Sequence, residues 1–228
     1  MNILAFDSFG ENVSACISFA KINQASVIKS NKQGSYTDSS AILMPLIIEL
    51  LAEQAFDLKQ LDLISVGIGP GSFTGVRTSV VTARALALAL NKPLVGLNTL
   101  EVIAANYETA VAVIINAYKN YVFMGIYHNY QPLMLPVCIT LAEITTYLGN
   151  LACPIDLIVI DDSLLSALGE LNFNFSPINL ASLNIASCQM RVIYHKLIDD
   201  SDANLLIKFD FHKVLPLYLK EASVTLKI

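Results

Sequence analysis

Residues 67–77 have the sequence GIGPGSFTGVR, which joins a short apolar run, Leu63–Gly69, to an apolar segment that ends near Leu90. The central Gly-Pro-Gly permits a tight reversal that bulkier side chains would block. A short apolar run of this kind is typical of a buried parallel strand. Ser72 and Thr74 stand where hydroxyl groups can cap the helix that follows. The stretch therefore predicts a strand, a sharp corner and a helix, which is the building unit of an α/β fold.

The corner allows two interpretations. The N-terminus of a helix that begins at Thr74 or Gly75 offers free N–H groups, which makes an anion site one candidate. The stretch has neither the GxxxxGK[ST] spacing nor a lysine in the first helical turn, so the common phosphate loops are excluded. The alternative, which we favour, is a corner that only fixes the direction of the helix.

The segments on either side predict a repeated order of elements. In the first half we predict strands at residues 2–6, Val13–Phe19, Ala25–Lys29, Leu63–Gly69 and Leu94–Leu97, and helices at Asp38–Gln54 and from Thr74 to Leu90. In the second half we predict strands at Ala110–Asn116, Tyr121–Tyr127, Leu133–Val137 and Ile155–Ile160, and helices at Thr99–Tyr107, Thr140–Leu148, Ser163–Leu171 and Ile185–Ile198.

A three-strand meander followed by α-β-α, occurring twice, predicts an α/β protein made of two ribonuclease-H-like lobes. Two such lobes with a cleft between them form the actin/Hsp70/sugar-kinase-like (ASKHA) arrangement. We assign residues 1–100 to the N-terminal lobe and residues 101–228 to a divergent C-terminal lobe. The last segment is expected to pack back on the first lobe.

The composition excludes several classes of function. The 228 residues carry a net charge of −5, with a sequence pI of about 5.1, so no overall positive field would attract nucleic acid. Only 14% of the residues are charged and the mean hydropathy is +0.57. Such an apolar chain has either an unusually large buried fraction or an apolar surface that associates with another protein.

Metal binding and membrane insertion are also disfavoured. The cysteines and histidines are scattered, without a CxxC or HxxH spacing: Cys16, Cys138, Cys153, Cys188, His128, His195 and His212. The longest charge-free stretches, such as Leu171–Met190, contain Asn, Ser and Pro throughout, unlike a membrane span. The first residues, MNILAFDSFG, lack the basic start of a signal peptide. We therefore expect a cytoplasmic protein with reduced thiols, no metal site and no membrane contact.

The two helices beside the corner are apolar over too much of their circumference. Asp38–Gln54 has the sequence DSSAILMPLIIELLAEQ, and Val76–Leu90 carries only Arg77 and Arg84 as charges. A surface helix normally gives about half of its circumference to solvent. Each helix is therefore expected to bury a second face. We favour an intermolecular helix bundle over burial within the domain.

An enzyme is the competing hypothesis, as a stand-alone ATP-binding kinase-like protein or a peptidase. Asp7 ends the first strand, where the two-lobed kinases place an acid that handles magnesium. The matching strand end in the second lobe is Asn116-Ala117-Tyr118, which has neither an acid nor a glycine turn. A phosphoryl-transfer cleft needs ligands from both lobes, so we interpret Asp7 as a vestigial phosphate-site position that makes a buried turn contact. Ser72 lies in no GxSxG elbow.

Four motifs resemble the bacterial TsaB family. They are LAFDS at 4–8, ILMPLI at 42–47, GIGPGSFTGVR at 67–77 and LVGLNTLEVIA at 94–104, and LPLYLK at 215–220 is similar to the family's closing motif. The resemblance implies the two-lobed fold and a non-catalytic subunit that pairs with the catalytic paralogue TsaD and supports the ATPase TsaE. That complex transfers a threonylcarbamoyl group to N6 of adenosine 37 in tRNAs that read ANN codons.

The resemblance also implies a partner interface on the two apolar helices. The expected interface residues are Ile42, Leu43, Pro45, Leu46, Leu50, Val76, Val80, Ala83 and Arg84, and the expected loop residues are Gly69, Pro70, Gly71, Ser72, Phe73, Thr74, Gly75 and Arg77. No cofactor is expected on this chain alone; ATP or ADP and metal would lie in the partner subunits, and tRNA would be contacted only through the complex. A homodimer of the free chain stays open.

The sequence departs from the family at two places. Ser39 stands where relatives often have a histidine, and Asn116-Ala117-Tyr118 replaces the usual Asp-Ala-Arg. The resemblance is dense over residues 1–105 and thin afterwards, so contacts made by the second lobe cannot be transferred.

Overall fold

The computed structural model describes residues 1–10, 12–19, 28–35, 39–149, 155–165, 175–180, 182–198 and 209–219. These residues form two five-stranded sheets with helices packed against them. In the first half the elements are β1 (Asn2–Asp7), β2 (Asn12–Phe19), β3 (Ile28–Ser35), α1 (Ser39–Glu53), β4 (Leu63–Gly69), α2 (Phe73–Leu90) and β5 (Leu94–Asn98). In the second half they are α3 (Thr99–Ala104), β6 (Val111–Asn116), β7 (Tyr121–His128), β8 (Gln131–Thr140), α4 (Ile144–Gly149), β9 (Leu157–Asp161), β10 (Phe175–Ile178) and α5 (Ile185–Ile198).

The two sheets have the same topology. The first has the order β3-β2-β1-β4-β5 and the second the order β10-β9-β6-β7-β8. In each, three antiparallel strands form a meander, and the first of them pairs in parallel with a strand that follows a later crossover. The predicted duplication of an α/β lobe is confirmed, since β1 and β6 are the equivalent central strands.

Most elements lie within a few residues of their predicted bounds. The predicted third strand, Ala25–Lys29, is instead β3, whose polar sequence IKSNKQGS lies at a sheet edge, where an apolar pattern is not required. β10 was not predicted, because four residues containing Pro177 give no strand pattern, although an edge strand tolerates proline. The helices predicted at Thr99–Tyr107 and Thr140–Leu148 are shorter, and the second begins as a 3-10 turn.

Two predictions fall partly on residues that the structure does not describe. Residues 25–27 of the predicted third strand lie outside the described residues, as do residues 166–171 of the predicted helix Ser163–Leu171. The described part of that helix contains a 3-10 turn, Asp162–Leu164.

Two later segments lie against the first sheet. Gln189 of α5 is fully buried; its side chain accepts a hydrogen bond from Ser65 Oγ at 2.5 Å and donates one to the Phe6 carbonyl at 3.1 Å. Leu94 N donates to the Phe209 carbonyl at 2.9 Å, and Leu217 N donates to the Ile68 carbonyl at 2.8 Å. These segments belong to the predicted second lobe but join the core of the first half. The division into lobes of residues 1–100 and 101–228 stays a prediction.

By length and composition, α2 is the one helix among the described residues that could cross a membrane. Its buried residues include Val76, Val80, Ala83 and Ala87, which recur at the spacing of one helix face. That face packs on the first sheet, mainly on β4. The apolar character of α2 is therefore partly explained by its place in the core.

Candidate partner-binding surface

The glycine-rich corner is shaped by the chain that leaves β1. A Cβ atom at position 75 would lie 1.8 Å from the Ser8 carbonyl oxygen, and one at position 67 would lie 1.5 Å from Asp7 Oδ2. Only glycine allows such an approach. Ser72 N also donates a hydrogen bond to the Phe9 carbonyl at 2.5 Å. The glycine at 75 is therefore required, because it lies directly on the backbone of Ser8, and the glycine at 67 leaves room for the Asp7 carboxyl group.

Hydrogen bonds fix the first turn of α2 on this support. Ser72 Oγ accepts from Gly75 N at 3.3 Å, so Ser72 caps the helix as predicted. Ser8 Oγ donates to the Gly75 carbonyl at 2.8 Å and shares a hydrogen bond of 2.6 Å with Ser79 Oγ. The helix begins at Phe73, earlier than predicted, and Thr74 is an exposed residue of its first turn rather than a cap.

Asp7 makes the buried turn contact that its position predicted. Its side chain is 1% exposed, and Oδ1 accepts from Phe9 N at 2.7 Å. Oδ2 has no hydrogen-bond partner among the described residues. Burial raises the pKa of Asp7 to about 7, and the hydrogen bond from Phe9 N only partly opposes this rise. The carboxyl group is therefore close to half protonated near neutral pH.

Most of the predicted interface residues face the protein's own core, which corrects the prediction. Six of them are between 0% and 8% exposed: Leu43, Leu46, Leu50, Val76, Val80 and Ala83. The physical reason is that the first sheet needs an apolar cover, which these side chains provide. Ile42 and Arg84 are half-buried, and Pro45 is exposed. A partner could reach few of the predicted side chains without unfolding the helices.

The outward faces of the same helices carry a second set of apolar side chains. Ile48 of α1 is 58% exposed, and Val81 and Leu88 of α2 are 60% and 66% exposed. Pro45 and Ala85 are exposed on the same two helices. We call these five residues the α1–α2 surface. They recur at the helical spacing of three or four residues, and the two helices contact each other.

The sequence contained a signal for this surface. In both helices, one series of apolar residues is enough to cover a sheet, and a second series follows the opposite face. The outer face of each helix is apolar and exposed in the free chain, so its burial against a partner stays a prediction, and the residues named for the partner belong mostly to the inner face.

An aromatic pair stands beside the first turn of α2. The rings of Phe73 and Tyr218 stack with centroids 4.9 Å apart, and both residues are exposed. The Arg77 guanidinium lies 5.6 Å from the centroid of the Phe73 ring, within the range of a cation–π contact. Gly69 and Pro70 are buried, and Gly71 is half-buried.

Within the described parts of the chain, no three His, Cys, Asp or Glu side chains come together as a metal site would require. Cys16 and Cys188 are buried free thiols. Burial raises the pKa of the Cys16 thiol to about 12, and the neighbouring Cys188 adds to this. A thiolate nucleophile is therefore disfavoured at Cys16.

Comparison with known proteins identifies relatives of both sequence and fold. The family model described as "TsaD: tRNA N6-adenosine threonylcarbamoyltransferase" matches residues 32–205. The chain is 29% identical over 130 residues to "tRNA threonylcarbamoyladenosine biosynthesis protein TsaB" of Buchnera aphidicola subsp. Schizaphis graminum, covering 55% of this chain and 60% of the relative. It is 31% identical to the Bacillus subtilis protein of the same name, over 56% of this chain and 55% of the relative. The chain thus spans a little over half the length of these curated relatives.

Solved structures support the fold. A Pseudomonas aeruginosa protein, described as uncharacterized with similarity to peptidase YeaZ, matches with a TM-score of 0.73 at 19% identity, over 96% of this chain and 99% of that one. A polyphosphate/ATP-glucomannokinase from Arthrobacter matches with a TM-score of 0.50 at 11% identity, over 86% of this chain and 98% of that one. These similarities confirm the predicted ASKHA arrangement. The curated relatives named above are TsaB proteins, and because the family model covers more than half of the 228 residues, the chain belongs to the family described as TsaD, tRNA N6-adenosine threonylcarbamoyltransferase.

Proposed function

We propose that the chain is a non-catalytic partner subunit in the synthesis of threonylcarbamoyladenosine, and that it pairs with a TsaD-like catalytic paralogue through the α1–α2 surface. The complex would transfer a threonylcarbamoyl group to N6 of adenosine 37 in tRNAs that read ANN codons. The names of the curated relatives support the process. The exposed apolar face on two neighbouring helices supports the partner role.

The α1–α2 surface has the properties of an association site. Large apolar side chains on a monomer are normally scattered, whereas Ile48, Val81 and Leu88 lie on two helices that touch. Complete burial of a Leu, Ile or Val side chain stabilises by about 1.5–3 kcal/mol. These side chains are already partly covered, so each would contribute about 1–2 kcal/mol on association.

The acidic charge of the chain favours an indirect role toward tRNA. A net charge of −5 repels a polyanion, so contact with tRNA would come through the partner. We also propose that ATP or ADP and metal bind to the partner subunits, that a TsaE-like ATPase joins them, and that the complex works in the cytoplasm.

The alternatives have less support. The hydroxyl of Ser72 is used as a helix cap, and no histidine is among its hydrogen-bond partners in the described residues, which disfavours a serine peptidase. β1 ends at Asp7, but the equivalent strand of the second sheet, β6, ends at Asn116 and not at an acid. Because a phosphoryl-transfer cleft needs ligands from both lobes, this disfavours a kinase-like enzyme. A homodimer would use the same surface and stays an alternative partner.

Co-purification tests the proposal. The chain and the TsaD-like paralogue of the same organism are co-expressed, and the complex is measured by size-exclusion chromatography with light scattering at micromolar concentration. We expect a heterodimer whose mass is the sum of the two chains. Two folded proteins that elute separately would overturn the proposal, and a stable homodimer that excludes the paralogue would favour the alternative.

A further inference from the structure

Basic and aromatic side chains lie together along one flank of α2, beside the segment of residues 209–219 that packs on the first sheet. A 3-10 turn in that segment contacts α2. Three of the side chains belong to α2 and two to the segment: Phe73, Arg77, Arg84, Lys213 and Tyr218. We call these five residues the basic flank. None of them belongs to the α1–α2 surface, so the two surfaces can be tested separately.

Helical periodicity places the α2 members of the basic flank on one face. Arg77 and Arg84 are seven residues apart, which is about two turns and about 10 Å along the helix axis. Phe73 is four residues before Arg77 and therefore its neighbour on the same face. The sequence of α2, FTGVRTSVVTARALALAL, contains no acidic residue. This face of α2 therefore carries positive charge only.

The cations of the basic flank are not neutralised by neighbouring acids. Within the described parts of the chain, no carboxylate forms an ion pair with Arg77, Arg84 or Lys213. Asp210 is near Lys213 in sequence, but its carboxylate accepts a hydrogen bond from His212 N at 2.9 Å. At 0.1 M salt, charges more than about 10 Å apart are largely screened from each other. The net charge of −5 of the whole chain therefore does not cancel this local positive charge.

Two aromatic rings of the basic flank are accessible to a ligand. Phe73 is 42% exposed and Tyr218 is 47% exposed, although their rings stack with centroids 4.9 Å apart. Proteins that bind single-stranded nucleic acid combine such rings, on which bases stack, with cations that contact the phosphates. An acidic protein segment would need the cations but not the rings. The combination therefore favours RNA as the ligand.

We propose that the basic flank contacts a single-stranded stretch of the tRNA. The ring of Tyr218 would stack on an unpaired base, and the three cations would contact phosphate groups of the same strand. This inference rests on the proposed function, because the acidic chain would meet the tRNA only after the TsaD-like partner has bound it.

Fluorescence anisotropy tests the contribution of the cations. The purified complex of the chain and the TsaD-like paralogue is titrated into a labelled tRNA transcript that reads an ANN codon, at several salt concentrations. Arg77→Ala should weaken tRNA binding about threefold or more, and should reduce the slope of log K against log salt by about 1, because one phosphate contact is lost. Arg191→Ala is the matched control: Arg191 is also exposed but lies on α5, and its loss should change neither quantity.

The same titration tests the aromatic contact. Tyr218→Ala should weaken tRNA binding about fivefold or more, because one base loses its stacking partner. It should leave the salt slope unchanged, because no charge is removed. Tyr147→Ala is the matched control, since Tyr147 is 38% exposed on α4 and should be replaceable without effect.

Three outcomes would overturn the inference. They are equal tRNA binding by the parent complex and either variant of the basic flank, equal weakening in a flank variant and its matched control, and failure of Arg77→Ala to pair with the paralogue. The last outcome would assign the basic flank to the protein interface instead.

A parent chain that does not pair with the paralogue would refute the proposed function but would still leave a test of the basic flank. The isolated chain is then titrated with a 12-nucleotide oligoadenylate at about 20 mM salt, where the attraction of cations to phosphates is strongest. Weaker binding by Arg77→Ala than by Arg191→Ala would support the basic flank as an RNA site. Equal binding by the two variants would exclude it.

Discussion

Gly75 lies so close to Ser8 that a Cβ atom at position 75 would come within 1.8 Å of the Ser8 carbonyl oxygen. The contact joins the end of the first strand to the first turn of α2, and the hydrogen bond from Ser8 Oγ to the Gly75 carbonyl, 2.8 Å long, lies at the same place. The glycine-rich motif thus resembles a nucleotide-binding loop in composition, but its glycines serve backbone packing. This contact is what directs α2, and with it half of the α1–α2 surface.

Gly75→Ala should destabilise the chain strongly. The atom in the way is a backbone oxygen, which cannot move without shifting the end of β1 or the start of α2. We expect a loss of at least about 2 kcal/mol in the free energy of unfolding, measured by urea denaturation. Gly149→Ala is the matched control, because a Cβ atom at 149 meets nothing within 4 Å. Equal stability of the two variants would contradict the packing role of Gly75.

Truncation of Leu46 should destabilise the chain far more than truncation of Ile48, although the two residues are two positions apart on one helix. Leu46 is 8% exposed and Ile48 is 58% exposed. Leu46→Ala should cost about 2–5 kcal/mol of unfolding free energy, as a large core residue does, whereas Ile48→Ala should change it by about 0.5 kcal/mol. Thermal or urea denaturation of the isolated chain measures both. A large loss for Ile48→Ala would show that its side chain supports the fold.

The comparison of Leu46 with Ile48 shows what the sequence could and could not predict. The order of elements follows from local patterns, and β4 and α5 agree with their predicted bounds to the residue. The sequence does not show which apolar face of α1 meets the sheet, because Leu46 and Ile48 are equally apolar. That choice depends on how α1 is oriented on β2 in the assembled fold. The residues that the family resemblance implied for the interface lie mostly on the inner face, which packs in the core.

The edge strands of the two sheets show the same limit. Pro177 in β10 and the polar run in β3 are compatible with strands only because both strands lie at sheet edges. That position is a property of the assembled sheet. A cleft between two lobes was expected, and a cavity lined by Asp7, Asn116 and Asp161 lies between the sheets, but which residues of the second sheet line it depends on how β6 and β9 align.

Val81→Glu should remove partner binding and leave the isolated chain folded. Val81 is 60% exposed, so the charge is solvated in the free chain, but it would be buried without a partner charge in the complex. We expect complex formation with the TsaD-like paralogue to weaken about 100-fold or more, measured by titration of one purified protein into the other. Leu135→Glu is the matched control: Leu135 is 71% exposed but lies on β8. Equal loss in both variants, or none in Val81→Glu, would contradict the assignment of the α1–α2 surface.

Asp7 should make the stability of the chain fall as the pH rises toward neutrality. Burial raises the pKa of Asp7 from 3.8 to about 7, so between these values the folded chain holds a proton that the unfolded chain has released. Stability from this group is therefore complete below about pH 4, is lost progressively up to about pH 7, and is constant above it. The whole change is at most about 4 kcal/mol.

Asp7→Asn should remove this pH dependence and be the more stable chain at pH 8. Urea denaturation of both chains from pH 4 to pH 8 measures the effect. The difference between the two curves isolates Asp7 from other carboxyl groups, such as Glu143, whose pKa is lowered by hydrogen bonds from Thr140. A difference that stays constant over this range would show that Asp7 is ionised in the folded chain throughout.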